Sequence, residues 1–158
     1  MVEVVRYGIV GAGLMAREHI RNLAITPGAV VTALADPVAQ SIDLAREALG
    51  AGGETVATFA DSASLAKSGL VDAVIVASPN YTHRKVLEPL FDANLAILCE
   101  KPLATTLEDA KWVVERAVQS SAPFWTAGRL VIASSILAGL VLLAFIWIAA
   151  QRRQIGVL

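Results

Sequence analysis

Short runs of branched apolar residues alternate along this chain with segments of helical periodicity, and no other feature narrows its fold as much. "RYGIV", "GAVVTALAD", "TVATFAD", "VDAVIVASP" and "LAILCE" read as strands, with "APFWTA" a candidate sixth. Between them lie "LMAREHIRNLAI", a stretch from Ala39 to Leu49 closed by Gly50, a short segment capped by Asp61, "THRKVLEPLFDAN" and "TTLEDAKWVVERAVQS". These carry apolar residues at helical spacing. "GAGGE" reads as a flexible loop. A half-exposed strand alternates apolar and polar side chains, whereas these strands are almost uniformly apolar, so helices must cover both faces of their sheet. The expected fold class is α/β: a doubly wound parallel sheet over residues 1–127.

At 158 residues there is room for one domain of ordinary size and hardly for a second. The formal charge of −1 provides no basic field, which excludes nucleic acid as an expected partner. A single cysteine, Cys99, cannot close an intrachain disulfide. The N-terminal residues lack the basic, apolar and cleavage regions of a signal peptide, so folded structure is expected to begin at once.

Gly11, Gly13 and Ala16 form a G-x-G-x-x-A pattern directly after the first strand and at the start of a helix. In that setting Gly11 permits a tight turn, Gly13 lets the backbone approach a pyrophosphate, and Ala16 lets the helix lie close to the sheet. The first-turn amides, at Leu14 and Met15, and the positive end of the helix dipole are expected to hold the phosphates. Asp36 closes the second strand, where a carboxylate accepts from the adenosine ribose hydroxyls and repels a 2′-phosphate. The expected cofactor is therefore NAD rather than NADP, on a Rossmann-type fold.

Two further motifs stand at the carboxyl ends of strands, where ligands of such sheets bind: "ASPNYTH" after the fourth and "CEKPLATT" after the fifth. In this order and spacing, G-x-G-x-x-A, S-P-N-x-x-H and E-K-P resemble the N-terminal domain of the Gfo/Idh/MocA family of oxidoreductases, from about Arg6 to about Trp125. The resemblance implies that Ser78, Pro79, Asn80 and His83 line the cofactor groove. It implies that Lys101 reaches the nicotinamide end as the catalytic residue, and that Glu100 and Pro102 fix the loop presenting it. A lysine ammonium beside a carbinol oxygen stabilises developing negative charge and joins a proton relay.

Simpler roles stand beside these. Lys101 is also readable as a solvated surface lysine, against which its place after a buried strand and before Pro102 weighs, whereas His83 reads first as a first-turn helix residue, His19 as a packing residue and Cys99 as a buried strand residue. No His, Cys and carboxylate grouping has metal-ligand spacing, so no metal site is expected.

Family members continue into a second α/β domain that covers the nicotinamide and brings substrate-binding residues. Here the sequence after Trp125 turns instead into an apolar run. Residues 130–150 carry no charge. As a helix they span about 31 Å, against a hydrocarbon core of about 30 Å. Twelve of them are Leu, Ile, Val or Phe, favouring insertion by roughly 4–7 kcal/mol in total. The expectation is a transmembrane helix over 128–151 and a polar tail over 152–158, making this a single-pass membrane protein with its nucleotide domain in the cytoplasm. Ser135 and Gly139 form a small-x-x-x-small pattern suited to a helix–helix or subunit partner. The functional expectation is a truncated, membrane-anchored NAD(P)-binding domain, not catalytic alone. Two alternatives stay open: a dehydrogenase completed by another chain, and a fragment or frameshifted form of a soluble sugar or polyol dehydrogenase. The coding DNA separates the last from the others.

Overall fold

The computed structural model describes residues 4–120, 122 and 124–126. Within them β1 (Val5–Val10), β2 (Ala29–Ala35), β3 (Ala57–Phe59), β4 (Ala73–Val76), β5 (Ala96–Cys99) and β6 (Phe124–Thr126) form one sheet in the order β3-β2-β1-β4-β5-β6. Every pairing is parallel. The chain builds outward from β1 to β3, returns across the sheet, and builds outward again from β4. The reversal opens a crevice between the carboxyl ends of β1 and β4.

Helices cover both faces, as the apolar strands require. On one face α1 (Leu14–Ala24) and α2 (Ala39–Leu49) bury Ala16, Ile20, Leu23, Ile42 and Ala45 against Ile9, Leu34, Ile75 and Leu98. On the other, α3 (Ser62–Lys67), α4 (His83–Asp92) and α5 (Leu107–Gln119) bury Leu65, Leu87, Leu90 and Val113 against Val10, Val74, Val76, Ile97 and Cys99. Successive strand residues thus serve opposite layers: Ile75 faces α1 while Val74 and Val76 face α4. Buried on both sides, the central strands contain no polar alternation to betray a solvent face.

Local signals behave as the sequence implies at Asp61 and Gly50, and Thr106 adds a further cap. Asp61 caps α3 by accepting from Ser64 N at 2.7 Å. Thr106 caps α5 by accepting from Asp109 N at 3.1 Å, and its hydroxyl donates back to Asp109 Oδ2 at 2.8 Å. Gly50 ends α2 at φ 62, a left-handed conformation that favours glycine. Two details differ. The "GAGGE" stretch is not an open loop, since Gly50–Gly52 forms a 3-10 turn. Helix α4 starts at His83 because Asn80–Thr82 is wound into a 3-10 turn, closed by the Thr82 hydroxyl donating to Pro79 O at 2.6 Å.

The run 130–150, the boundary after residue 127 and the tail 152–158 lie outside the described residues. Among the described residues no helix is long and apolar enough to cross a membrane.

Candidate functional site

The site is built from four strand ends that stand side by side. Gly11 leaves β1 at φ 84, and its amide donates to Ala35 O at 2.8 Å, tying the turn to β2. A Cβ at Gly11 would fall 2.4 Å from Ser78 N and 2.5 Å from Ser78 Cα. The turn after β1 therefore touches the turn after β4 backbone to backbone, and glycine is required for both its torsion and its contact. Gly13 next caps α1 without a side-chain hydrogen bond, and the first turn carries no acidic residue. A Cβ there would meet nothing within 4 Å. The free amides and dipole of α1 thus open onto space that an anion fits.

Asp36, half-buried at the end of β2, points its carboxylate back at this turn. Its Oδ2 accepts from Ala12 N at 2.7 Å and its Oδ1 from Val38 N at 2.8 Å. Two backbone amides fix the carboxylate's orientation and leave further lone pairs facing the groove.

Beyond β5, Glu100 continues the ladder, its amide donating to Val76 O at 2.9 Å. Its side chain is buried. Oε1 lies 2.7 Å from His19 Nε2, and Oε2 accepts from Lys101 N at 3.1 Å. The hydrogen bond from His19 holds the Glu100 carboxyl below its ordinary range against the opposing effect of burial, with the Lys101 amide adding to the same direction. Lys101 and Pro102 are exposed, and the peptide bond joining them is cis.

A lowered carboxyl gives a stability contribution that is complete above the ordinary glutamate pKa and is lost as pH falls through the lowered value. Glu100→Gln is therefore expected to cost stability at pH 7 and to cost progressively less as pH drops below about 4.5, the ordinary glutamate value. Urea denaturation of both proteins at pH 7 and pH 3.5 measures this. An equal gap at the two pH values would contradict it.

A groove of about 1140 Å³ runs along this crest. Of the residues expected from sequence, Gly11, Gly13, Leu14, Met15, Asp36, Ser78 and Pro79 line it. Asn80 is half-buried in the turn that follows. His83 does not line the groove. It is 1 % exposed, with Nε2 2.9 Å from Ser78 O and Nδ1 3.0 Å from Leu103 O, because α4 starts only at His83 and turns the ring inward under the loops. Glu100 also lies behind the groove, facing α1. Lys101, exposed just after β5, does not line the groove. Cys99 is buried 3.4 Å from His83 Nδ1, and burial pushes its thiol up to about 12, which makes it an inert core residue. Among the described residues no group of three His, Cys, Asp or Glu side chains is placed to hold a metal.

Sequence reasoning missed Val38, Tyr81 and Lys85, which line the groove beside Asp36 and Pro79. Tyr81 lies inside the motif after β4, and Val38 and Lys85 follow a strand-end motif by two residues, but which way such a residue faces depends on the turn and not on periodicity.

Across the sheet the strand ends present, in order, the Asp36 carboxylate, the open amides after Gly13, the Ser78 turn and the Lys101 loop. That is the order of groups along an extended dinucleotide: ribose acceptor, phosphate cradle, nicotinamide neighbours. Residues 5–127 match the GFO_IDH_MocA family, described as an oxidoreductase family with an NAD-binding Rossmann fold. The chain belongs to this oxidoreductase family. Inositol 2-dehydrogenase 2 of Paenarthrobacter aurescens is 43% identical over 111 residues, covering 70% of this chain and 32% of the relative. The rhizopine catabolism protein MocA of Rhizobium meliloti is 35% identical over 106 residues, covering 67% of this chain and 32% of its own length. Among solved structures, the myo-inositol dehydrogenase of Lactobacillus casei in complex with NAD(H) and myo-inositol superposes with a TM-score of 0.71 at 32% identity, covering 78% of this chain and 36% of that one. The chain thus spans about a third of the length of the curated Gfo/Idh/MocA relatives it matches.

Proposed function

We propose that residues 5–127 bind NAD along this crest. Asp36 accepts from the adenosine ribose hydroxyls, the amides after Gly13 at Leu14 and Met15 take the pyrophosphate, Ser78, Pro79 and Asn80 border the nicotinamide ribose, and Lys101 stands at the nicotinamide end. One observation carries the reading: the space over Gly13 is open, bounded by unpaired helix amides and by a carboxylate that two backbone amides have already aimed.

When bound, NAD supplies a hydride acceptor and NADH a hydride donor. The chain's own contribution is to bind and orient the coenzyme and to offer the Lys101 ammonium, which stabilises negative charge on a substrate oxygen and relays its proton. Relatives named inositol 2-dehydrogenase point to a polyol carbinol as the substrate class of the complete catalytic unit. Neither histidine faces the groove, and the chain by itself holds coenzyme without turning over polyols. NADH fluorescence titration of the full chain tests the reading. Saturable binding is expected with Kd below about 1 mM and at least about tenfold weaker for NADPH, and no saturation at millimolar NADH would remove the function.

We further propose that the uncharged run 130–150 tethers this domain to a membrane, with the domain on the cytoplasmic side. Its length and composition support this. Carbonate-resistant pelleting with the membrane fraction is expected, and recovery in the soluble fraction would end the proposal.

A further inference from the structure

The two histidines of this chain lie 64 positions apart, on helices that cover opposite faces of the sheet, and both converge on the loop that carries Lys101. From α1, His19 meets the Glu100 carboxylate at 2.7 Å, with side-chain exposures of 15% and 11%. The other oxygen of that carboxylate accepts from the Lys101 amide at 3.1 Å, so the Lys101 backbone hangs from a group whose direction the imidazole sets. From α4, His83 places Nδ1 3.0 Å from the carbonyl of Leu103 and Nε2 2.9 Å from the carbonyl of Ser78. Carbonyls only accept, so a proton on either ring nitrogen ties one of these loops to α4, and protons on both tie the loops to each other. The segment from Glu100 to Leu103 is thus gripped at its start from one face and at its end from the other, with the exposed Lys101 between the grips.

We infer that His19 and His83 are positioning residues that hold Lys101 at the nicotinamide end of the groove, acting through Glu100 and through the Ser78 and Leu103 carbonyls. The inference rests on the coenzyme reading above. Neither imidazole lines the groove, so neither contacts coenzyme; their effect is confined to whatever Lys101 and the Ser78 turn touch. Ligands that reach the nicotinamide end should feel the loss of either imidazole more than ligands that stop at the second ribose, and the loss of His19, which acts on Lys101 alone, should spare the latter.

NADH and ADP-ribose separate the two cases, since ADP-ribose has the adenosine, pyrophosphate and second ribose but no nicotinamide. In the full chain, His19→Ala and His19→Asn are expected to weaken NADH by about tenfold, the loss of one charge-assisted hydrogen bond, while ADP-ribose stays within about twofold. His19→Gln, whose amide nitrogen reaches where Nε2 stood, restores most of the NADH affinity. His83→Gln, which moves the polar atoms away from the Ser78 and Leu103 carbonyls, gives an intermediate loss for NADH and a smaller one for ADP-ribose, since Ser78 borders the second ribose that both ligands carry. Equal losses for the two ligands, or no loss for either, would mean the histidines only stabilise the fold and would overturn the inference. Should the unaltered chain bind ADP-ribose and NADH equally well, Lys101 is not held at the nicotinamide and the inference fails while the coenzyme reading survives. Binding of neither ligand by the unaltered chain removes both.

Discussion

Replacing Gly11 by alanine is expected to destabilise the domain by about 2–5 kcal/mol and to abolish coenzyme binding. Two costs add. A φ of 84 in a residue with a side chain costs about 1–2 kcal/mol. A Cβ placed 2.4 Å from Ser78 N adds an overpacking cost of about 1–3 kcal/mol, at the upper end because the obstructing atoms are backbone and cannot swing aside. Against a total stability of about 5–15 kcal/mol this is a large fraction, and a melting temperature lower by on the order of 10 °C is expected. Gly13→Ala is the control. Its Cβ would meet nothing within 4 Å and its φ is −74, so the fold should lose no more than about 0.5 kcal/mol. Yet the new methyl group occupies the approach to the α1 amides, and NADH affinity should fall about tenfold or more. Thermal melts paired with NADH titration check both. Unchanged affinity in Gly13→Ala would show that phosphates do not cross there.

Asp36→Ala should weaken NAD by about ten- to a hundredfold while leaving NADP affinity level or raised. Hydrogen bonds to a charged acceptor contribute about 1.5–3 kcal/mol, and each 1.4 kcal/mol is tenfold in affinity. The same carboxylate repels a 2′-phosphate, so its removal collapses the discrimination between the two coenzymes. A structural cost accompanies this: Ala12, 1 % exposed, loses the acceptor of its amide, at about 1–3 kcal/mol of stability. The opposite responses of NAD and NADP distinguish a binding effect from damage to the turn, which would lower both. Parallel loss of the two would assign Asp36 a structural role only.

The fold was readable because each strand announces itself. Ile75 and Leu98 serve one helical layer while Val74 and Ile97 serve the other, and a strand buried on both sides has no choice but to be apolar throughout. Helix ends at Gly50 and Asp61 were equally local, since a cap is a contact between residues a few positions apart. Gly11, Gly13 and Asp36 were legible for a related reason: a backbone torsion and a strand end are set within one βαβ unit.

By itself, then, the sequence determined the doubly wound sheet, the family and the groove positions of Gly11, Gly13 and Asp36, because each is a local conformational requirement written in neighbouring residues. Only the tertiary structure decided where His19 and His83 point and which group the Glu100 carboxylate meets. The ring of His83 turns inward because α4 begins at that residue, behind a 3-10 turn that the helical spacing did not disclose. The carboxylate of Glu100 finds an imidazole 81 residues earlier in the chain. Periodicity reports which face of an element is buried; it holds no information about which side chain from another element arrives there, and the presentation of Lys101 depends on those arrivals.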